Sequence, residues 1–326
     1  MPSPKHARAC VWLFIATGFW GLSFPFIKSI WLLQERLVPE APSIFFAALT
    51  AGVRFGVAGI IVALFCLRTL RHLTRLELAQ GLGLGFFGGV GILFQMDGLA
   101  HTPASTSAFL TQFYCLLIPL WVAWRHRAAP KIAVLVSSML VLTGVAILAR
   151  FDGREFKLGR GEAETLLSTV FFAAQILWLE RPRYAPNRVS HFTVVMFSST
   201  ALLVAPVAMF TAPSASAFVQ AYNSSEVLWL VGALTLLCTL GSYTLMNVWQ
   251  PHVTATEAGL IYCVEPLVTS CLVLFLPGWI SRFAGINYAN EPLTSHLLIG
   301  GGCITLANVL IQIEAMRQRR KLAQGK

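Results

Sequence analysis

Arg150-Phe151-Asp152-Gly153-Arg154-Glu155-Phe156-Lys157-Leu158-Gly159-Arg160-Gly161-Glu162-Ala163-Glu164 is a charged stretch with strongly apolar sequence on both sides. Before it lie five apolar runs, near 11–33, 44–67, 78–100, 103–124 and 131–149. After it lie five more, near 163–180, 191–210, 227–247, 256–276 and 296–315. A hydrocarbon core about 30 Å thick takes roughly 20 residues of helix, and each run approaches that length. Within lipid the backbone must satisfy its polar groups inside the segment, so these runs are read as helices. An odd number of crossings per half sets tandem copies in opposite orientations, a construction known in secondary transporters. The expected fold is therefore an all-α polytopic membrane protein, with ten transmembrane helices arranged as two inverted five-helix repeats. The repeats are placed at 10–150 and 163–316, with a periplasmic linker at 151–162 and a basic cytoplasmic tail at 317–326.

Composition agrees with this class. Charged residues are 12% of the 326, against about 25% in ordinary soluble domains. Mean hydropathy is +0.69. The net charge of +10 would suit a nucleic-acid binder, but its distribution points elsewhere. With the N-terminus in the cytoplasm, 16 of the 24 Lys and Arg fall on the inner side, six on the outer side, and Lys28 and Arg54 inside spans. That bias is the positive-inside pattern and sets both termini in the cytoplasm, as expected for a bacterial inner-membrane protein. Four of the six outer positives crowd into 150–160, a local departure from the rule. The seven cysteines sit in or beside spans without a CxxC, so they read as small buried residues rather than a disulfide framework. The start of the chain, Lys5 to Arg8 before an apolar run, looks like a signal peptide. Its run is too long and has no small-x-small cleavage site, so it is taken as the first span.

An internal echo supports duplication: Thr106-x-Ala108-x-Leu110 recurs 150 residues later as Thr256-x-Ala258-x-Leu260. Each opens the fourth span of its half, and each span carries a proline further in, Pro119 and Pro266. Three stretches then resemble a known family. Phe19-Trp20-Gly21-Leu22-Ser23-Phe24-Pro25-Phe26-Ile27-Lys28 looks like the first-helix signature of the drug/metabolite transporter superfamily, EamA type. Gly98-Leu99-Ala100-His101-Thr102-Pro103-Ala104-Ser105-Thr106-Ser107-Ala108-Phe109-Leu110-Thr111 resembles its turn between helices three and four, and Val264-Glu265-Pro266-Leu267 its ninth helix. The resemblance covers about residues 10–316. It implies two five-helix inverted repeats and the export or exchange of small metabolites. The sixth span departs, reading Phe171-Phe172-Ala173-Ala174-Gln175 with no Trp-Gly and no following Lys.

Ionisable groups deep in a span are costly and usually face a cavity or a partner. Lys28, Arg54, Asp97 and Glu265 are the candidates here. Glu265 is read as mid-helix, beside a Pro266 that cannot donate to the Tyr262 carbonyl, with Tyr262 and Thr269 on the same face. A carboxyl withdrawn from water holds its proton more tightly, the property a proton-coupling group needs. The alternative is that Glu265 pairs with Arg54 or Lys28 and only ties helices together. Lys28 extends the stripe Trp20–Phe24–Lys28, either as an anion-attracting cation or counter-charge, or as a side chain snorkelling to the outer headgroups. Arg54, a permanent cation, suits ion pairing or helix tying. Asp97, near a span end, reads as a solvated interfacial carboxylate or as an ion-pair partner. Gln95, Gln112, Tyr114 and Tyr262 are candidates for orienting a polar substrate, Gln112 and Tyr262 being equivalent at an offset of 150. Interhelical hydrogen bonding is the competing role for these groups. Asn308, Gln312 and Glu314 lie too near the cytoplasmic end to compete. Gly81, Gly85 and Gly89 recur every four residues, as small-residue packing faces do.

No Walker motif is present, so a transporter of this sequence draws on a gradient of ion or substrate. The expected function is a secondary transporter, an exporter of a small organic metabolite such as an amino acid, a derivative or an amphipathic drug-like compound, coupled to protons by alternating access. Uncoupled facilitation or exchange is the nearest alternative. A lipid-modifying enzyme has neither GxSxG nor HExxH to rest on, and its histidines lie at span ends or outside. A non-transporting receptor would tolerate changes at Lys28, Gln112 and Glu265. The expected partners are substrate, protons and the lipid bilayer, without nucleic acid, metal or cofactor.

Overall fold

The computed structural model describes residues 4–125, 127, 132–148, 158–253, 258 and 261–324. Every regular element among them is helical. The long helices α1 (Pro4–Leu37), α2 (Ser43–Leu70) and α3 (Arg75–His101) come first. Next, α4 (Ala104–Thr111) and α5 (Tyr114–Arg125) are parted by Gln112 and Phe113, and α6 (Ile132–Leu148) closes the first half. The second half holds α7 (Arg160–Leu179), α8 (Val189–Thr211), the single turn α9 (Ala217–Gln220) and α10 (Ser225–Ala233). A widened π-type stretch, Leu234–Gly241, joins α10 to α11 (Ser242–Trp249). Then come α12 (Glu265–Val273), α13 (Leu276–Ala284) and α14 (Ser295–Gln324).

Among the described residues, six helical segments are long and apolar enough to cross a bilayer, and a seventh if the bent pair α12–α13 counts as one span. The sequence led to an expectation of ten. The difference has local causes. α6 and α14 carry apolar stretches of only Leu135–Leu148 and Ser295–Leu310, and α7 opens with Arg160, Glu162 and Glu164. The ninth run, expected as one helix over 256–276, turns at Cys263-Val264 and then bends by 54° between α12 and α13. Thr256 and Leu260 of the internal echo and residues 151–157 of the linker lie outside the described residues. The linker also ends sooner than expected, since α7 begins at Arg160, and the basic tail continues α14 as helix through Gln324.

Helix ends follow local chemistry. Thr74 and Glu77 form a reciprocal capping box at the start of α3, with bonds of 2.8 and 3.2 Å. α13 ends at Gly285, whose φ of +64° is open to glycine but strained for other residues, and its carbonyl accepts from Arg36.

Packing brings the halves together. α2 lies along α8, α3 along both α7 and α8, α6 along α14, and α1 along α11 and α12. The glycine stripe explains the closeness of α3 and α8. Cβ atoms at Gly81, Gly85 and Gly89 would fall 2.4, 1.9 and 2.9 Å from Val195, Ser199 and Leu203, which recur at the same four-residue step. Such close approach lets dispersion contacts hold helices in a solvent as apolar as their own side chains. The main core includes Phe45, Phe46, Phe55 and Phe197, while large apolar residues such as Phe65 and Phe210 point outward, 89% and 90% exposed. An apolar exterior around a core rich in buried Ser, Thr and Gln suits a lipid surround.

Candidate functional site

A cavity with about 590 Å³ of empty space, counting the part open to the outside, lies between the halves. Its wall is made mainly of residue pairs three apart, which one helix face presents together. Trp20 and Ser23 come from α1, Ile92 and Gln95 from α3, and Thr111 and Tyr114 from the α4–α5 junction. From the second half come Phe172 and Gln175 on α7, Tyr243 and Met246 on α11, and Tyr262 and Glu265 at the start of α12. Each second-half pair stands 151 or 152 residues after a first-half pair. Arg54 of α2 and Ile176 of α7 complete the wall without such a counterpart.

Two helix breaks lie beside this cavity. Backbone bonds from Gln112 to Phe109 and from Phe113 to Leu110 tighten the end of α4 into an i→i+3 turn. Val264 to Ile261 does the same before α12. Tight turns inside a helical run often mark hinges, and here they open the wall between half-helices. Glu265 is thus the first residue of α12 rather than mid-helix, because the chain turns at Cys263-Val264 and Pro266 occupies the second helical position. The two breaks are 151 residues apart, so Tyr262 stands where Thr111 stands and Gln112 is not its equivalent.

The signature Phe19–Lys28 can be read residue by residue. Gly21 lets α12 approach: a Cβ there would meet Val268 at 2.9 Å and the Glu265 carbonyl at 3.1 Å. Pro25 has no N–H for the Gly21 carbonyl four residues back, and the Thr269 hydroxyl donates to that oxygen at 3.1 Å. Trp20 packs edge-on against Tyr243 and Tyr262, with centroids 5.7 and 5.2 Å apart. Around them, the Gln112 amide donates to Glu265 at 3.2 Å, the Gln95 amide to Thr111 at 3.0 Å, and the Tyr262 hydroxyl to Gln250 at 2.8 Å. The result is an aromatic chamber with a few amides, one carboxyl and one guanidinium.

Residues 7–150 match the EamA-like transporter family model. Over those residues the chain is similar to the EamA-like transporter family. A curated relative from Archaeoglobus fulgidus, described as an uncharacterized transporter, is 24% identical over 314 residues, covering 95% of this chain and 87% of its own. A solved structure titled only as a crystal structure of a protein matches with a TM-score of 0.55 at 18% identity. It covers 93% of this chain and 98% of its own, a likeness of fold. These likenesses and the apolar helices support a multi-pass membrane transporter, and the matched family implies a small-molecule substrate and a lipid environment.

In this structure the sequence candidates fall into two groups. Trp20, Gln95, Tyr114, Tyr262, Glu265 and Arg54 meet at the cavity wall, with Gln112 just behind Glu265. Phe24 and Lys28 do not. Phe24 is core, and the Lys28 ammonium donates to the carbonyls of Leu99, Ala100 and Thr102 at 2.8, 2.8 and 3.3 Å. It neither snorkels nor faces Glu265 or Asp97, because the C-terminal carbonyls of α3 offer it a closer set of acceptors. Asp97 is buried rather than solvated. It pairs with Arg160 at 2.5 Å, and Arg160 also holds Glu164 at 2.8 Å. Arg54 has no carboxylate within ion-pair distance among the described residues; its Nε donates to Thr239 at 2.7 Å. Asn308, discounted from sequence, is fully buried, though it is absent from the cavity wall.

Sequence reasoning missed Ser23, Thr111, Phe172, Gln175, Tyr243 and Met246. Moving Trp20 and Ser23 along by 152 residues would have found Phe172 and Gln175 inside the segment set aside as divergent. Glu291 was also missed. It accepts from the N–H groups of Ala104 and Ser105 at 2.7 and 3.1 Å, a carboxylate at the positive end of α4. Lys28 and Glu291 therefore grip the two sides of one turn, each at the helix terminus its charge favours.

Proposed function

We propose that this chain is a proton-coupled secondary transporter of a small organic molecule, an exporter working by alternating access around the cavity. Ten spans in two inverted repeats, 10–150 and 163–316, form the scaffold. The observation that carries this reading is the wall itself: three residue pairs from one half answered by three pairs from the other at offsets of 151 or 152. A substrate on a pseudo-twofold axis meets equivalent helices from both halves, which is what exchange between inward-open and outward-open arrangements requires. Packing supports the same relation. In the repeat order α2 corresponds to α8 and α6 to α14, and each of these pairs is in contact. Gly144 and Gly300 approach each other's carbonyls reciprocally, as positions near a twofold axis would.

Glu265 is the coupling group in this reading. It lines the cavity, and a neutral amide, not a cation, is its partner among the described side chains. Its carboxyl can then gain or lose a proton without breaking an ion pair. Both termini are placed in the cytoplasm of a bacterial inner membrane, which a C-terminal reporter fusion would test.

The decisive experiment is flux in proteoliposomes under an imposed pH gradient, once a substrate has been found by a thermal-shift screen of metabolites. In Glu265→Gln, substrate exchange should persist while pH-driven accumulation disappears. If accumulation still follows the pH gradient, Glu265 is not the coupling site. If neither exchange nor net flux of any stabilising compound occurs in the wild-type protein, the transport reading itself fails.

A further inference from the structure

We propose that the cargo of this cavity is an organic carboxylate, and that the guanidinium of Arg54 holds its carboxylate group. The inference rests on the transport reading and names the substrate chemistry for the same cavity.

Arg54 is only 1% exposed and heads the fully buried side chains by size. A guanidinium remains protonated in any protein setting, so it cannot escape the cost of burial by losing its charge. Buried charges are ordinarily paired. The buried carboxylates of this protein follow that rule: Asp97 is held by Arg160, and Glu77 by Arg188 through Nε and Nη2 at 2.7 and 3.0 Å. Arg54 departs from it. Its Nε is spent on the neutral hydroxyl of Thr239, Nη1 reaches only the Met96 sulfur at 3.9 Å, and the Phe55 ring lies 5.0 Å away. Among the described residues, nothing anionic completes the fork.

Those contacts leave the guanidinium oriented but unneutralised. Thr239 fixes the Nε side and Phe55 gives the planar group a neighbour, so the remaining N–H groups are the ones available at the cavity wall. Two N–H groups in one plane match the two oxygens of a carboxylate. The other wall charge, Glu265, is held by Gln112 and leaves Arg54 unpaired. The aromatic face of Trp20, Tyr243 and Tyr262 offers the apolar body of the same molecule a surface. Arg54 also has no counterpart in the repeat, which suits a feature that recognises cargo rather than builds scaffold.

The test uses three probes with one phenylethyl body and different charge: 3-phenylpropionate, 3-phenylpropanamide and 2-phenylethylamine. Binding to the full-length protein in detergent is measured by calorimetric titration. The carboxylate should bind more tightly than the amide or the amine. Arg54→Gln should weaken the carboxylate at least ~30-fold and leave the amide unchanged. Arg54→Lys keeps the charge without the planar fork, and should lose about tenfold; it also serves if the Gln variant does not assemble. Equal binding of carboxylate and amide, an unchanged carboxylate affinity in either variant, or binding of no probe would overturn the proposal. Ser23→Phe, which fills the cavity, separates the two levels of inference. If probes bind wild type but survive this change undiminished, the cavity is not the binding site and the transport reading falls with it.

Discussion

Lys28 offers a sharp test, because sequence and geometry assign it different work. Lys28→Met keeps the length and most of the volume of the stem while removing the ammonium. In the structure that ammonium donates to three carbonyls at the end of α3, at 2.8, 2.8 and 3.3 Å, and lies 5.1 Å from the Trp31 ring. Hydrogen bonds involving a charged group contribute about 1.5–3 kcal/mol each when fully sheltered. Three would give several kcal/mol, but two discounts apply. The longest bond is weak, and Lys28 is only partly buried, so water can replace it at some carbonyls once it is gone. A net loss of about 2–3 kcal/mol is the resulting expectation. It should appear as a lower melting temperature in detergent, followed by tryptophan fluorescence. Substrate affinity in the surviving folded protein should be unchanged, since Lys28 is absent from the cavity wall. A variant as stable as wild type but without substrate binding would refute this reasoning and restore Lys28 as a substrate group.

Other outcomes follow from the same geometry. Glu77→Ala strips Arg188 and His191 of their shared carboxylate at the meeting of α3 and α8, and should cost about 2–4 kcal/mol in thermal unfolding, less than a wholly buried pair because Arg188 is 43% exposed. Gly85→Leu drives a side chain into Ser199, where a Cβ alone would come within 1.9 Å, and should abolish detergent-stable folded protein in size-exclusion profiles, whereas Gly18→Leu, with no atom within 4 Å of its Cβ position, should not. Glu291→Gln keeps the shape but removes the charge at the start of α4; a loss of about 0.5–2 kcal/mol, shrinking as salt is raised, is expected from calorimetry.

Much of the scaffold was legible because membrane spans advertise themselves by composition. The ends of α1, α2, α3 and α8 fall within several residues of the apolar runs read from sequence. Broken spans were less legible. Nothing in the hydropathy of 256–276 reveals a turn at Cys263-Val264, since a half-helix is as apolar as a whole one; only Pro266 hinted at it. Among site residues, Trp20, Tyr262 and Glu265 were visible because aromatic and ionisable groups in lipid need a reason to be there. Lys28 was misassigned for the same cause. Its position inside a span was correctly costly, but what offsets that cost is a helix terminus 71 residues away, which no local pattern encodes. Asp97 shows the same limit, its partner Arg160 being hidden in what looked like a solvated linker.

The two halves share a wall and differ in charge, and that combination has a mechanical consequence. If alternating access exchanges the shapes of the halves, the six paired positions present equivalent surfaces in either state, so they cannot by themselves tell which way the cavity opens. Arg54 and Glu265 can. Arg54 sits on α2 without a counterpart, tied to the π-type stretch through Thr239. Glu265 begins α12, and its counterpart position holds Tyr114. A change of backbone at the turn Cys263-Val264 would re-aim the carboxyl of Glu265, the residue next to it, relative to Arg54. Cargo neutralising Arg54 and a proton neutralising Glu265 would then bias the same equilibrium. Each ligand can shift it only by its differential affinity for the two shapes. Substrate affinity should therefore depend on pH in the wild type and lose that dependence in Glu265→Gln, by the reciprocity of linked binding. An unchanged pH dependence in that variant would separate the two charges and leave the cavity a carrier without coupling through Glu265.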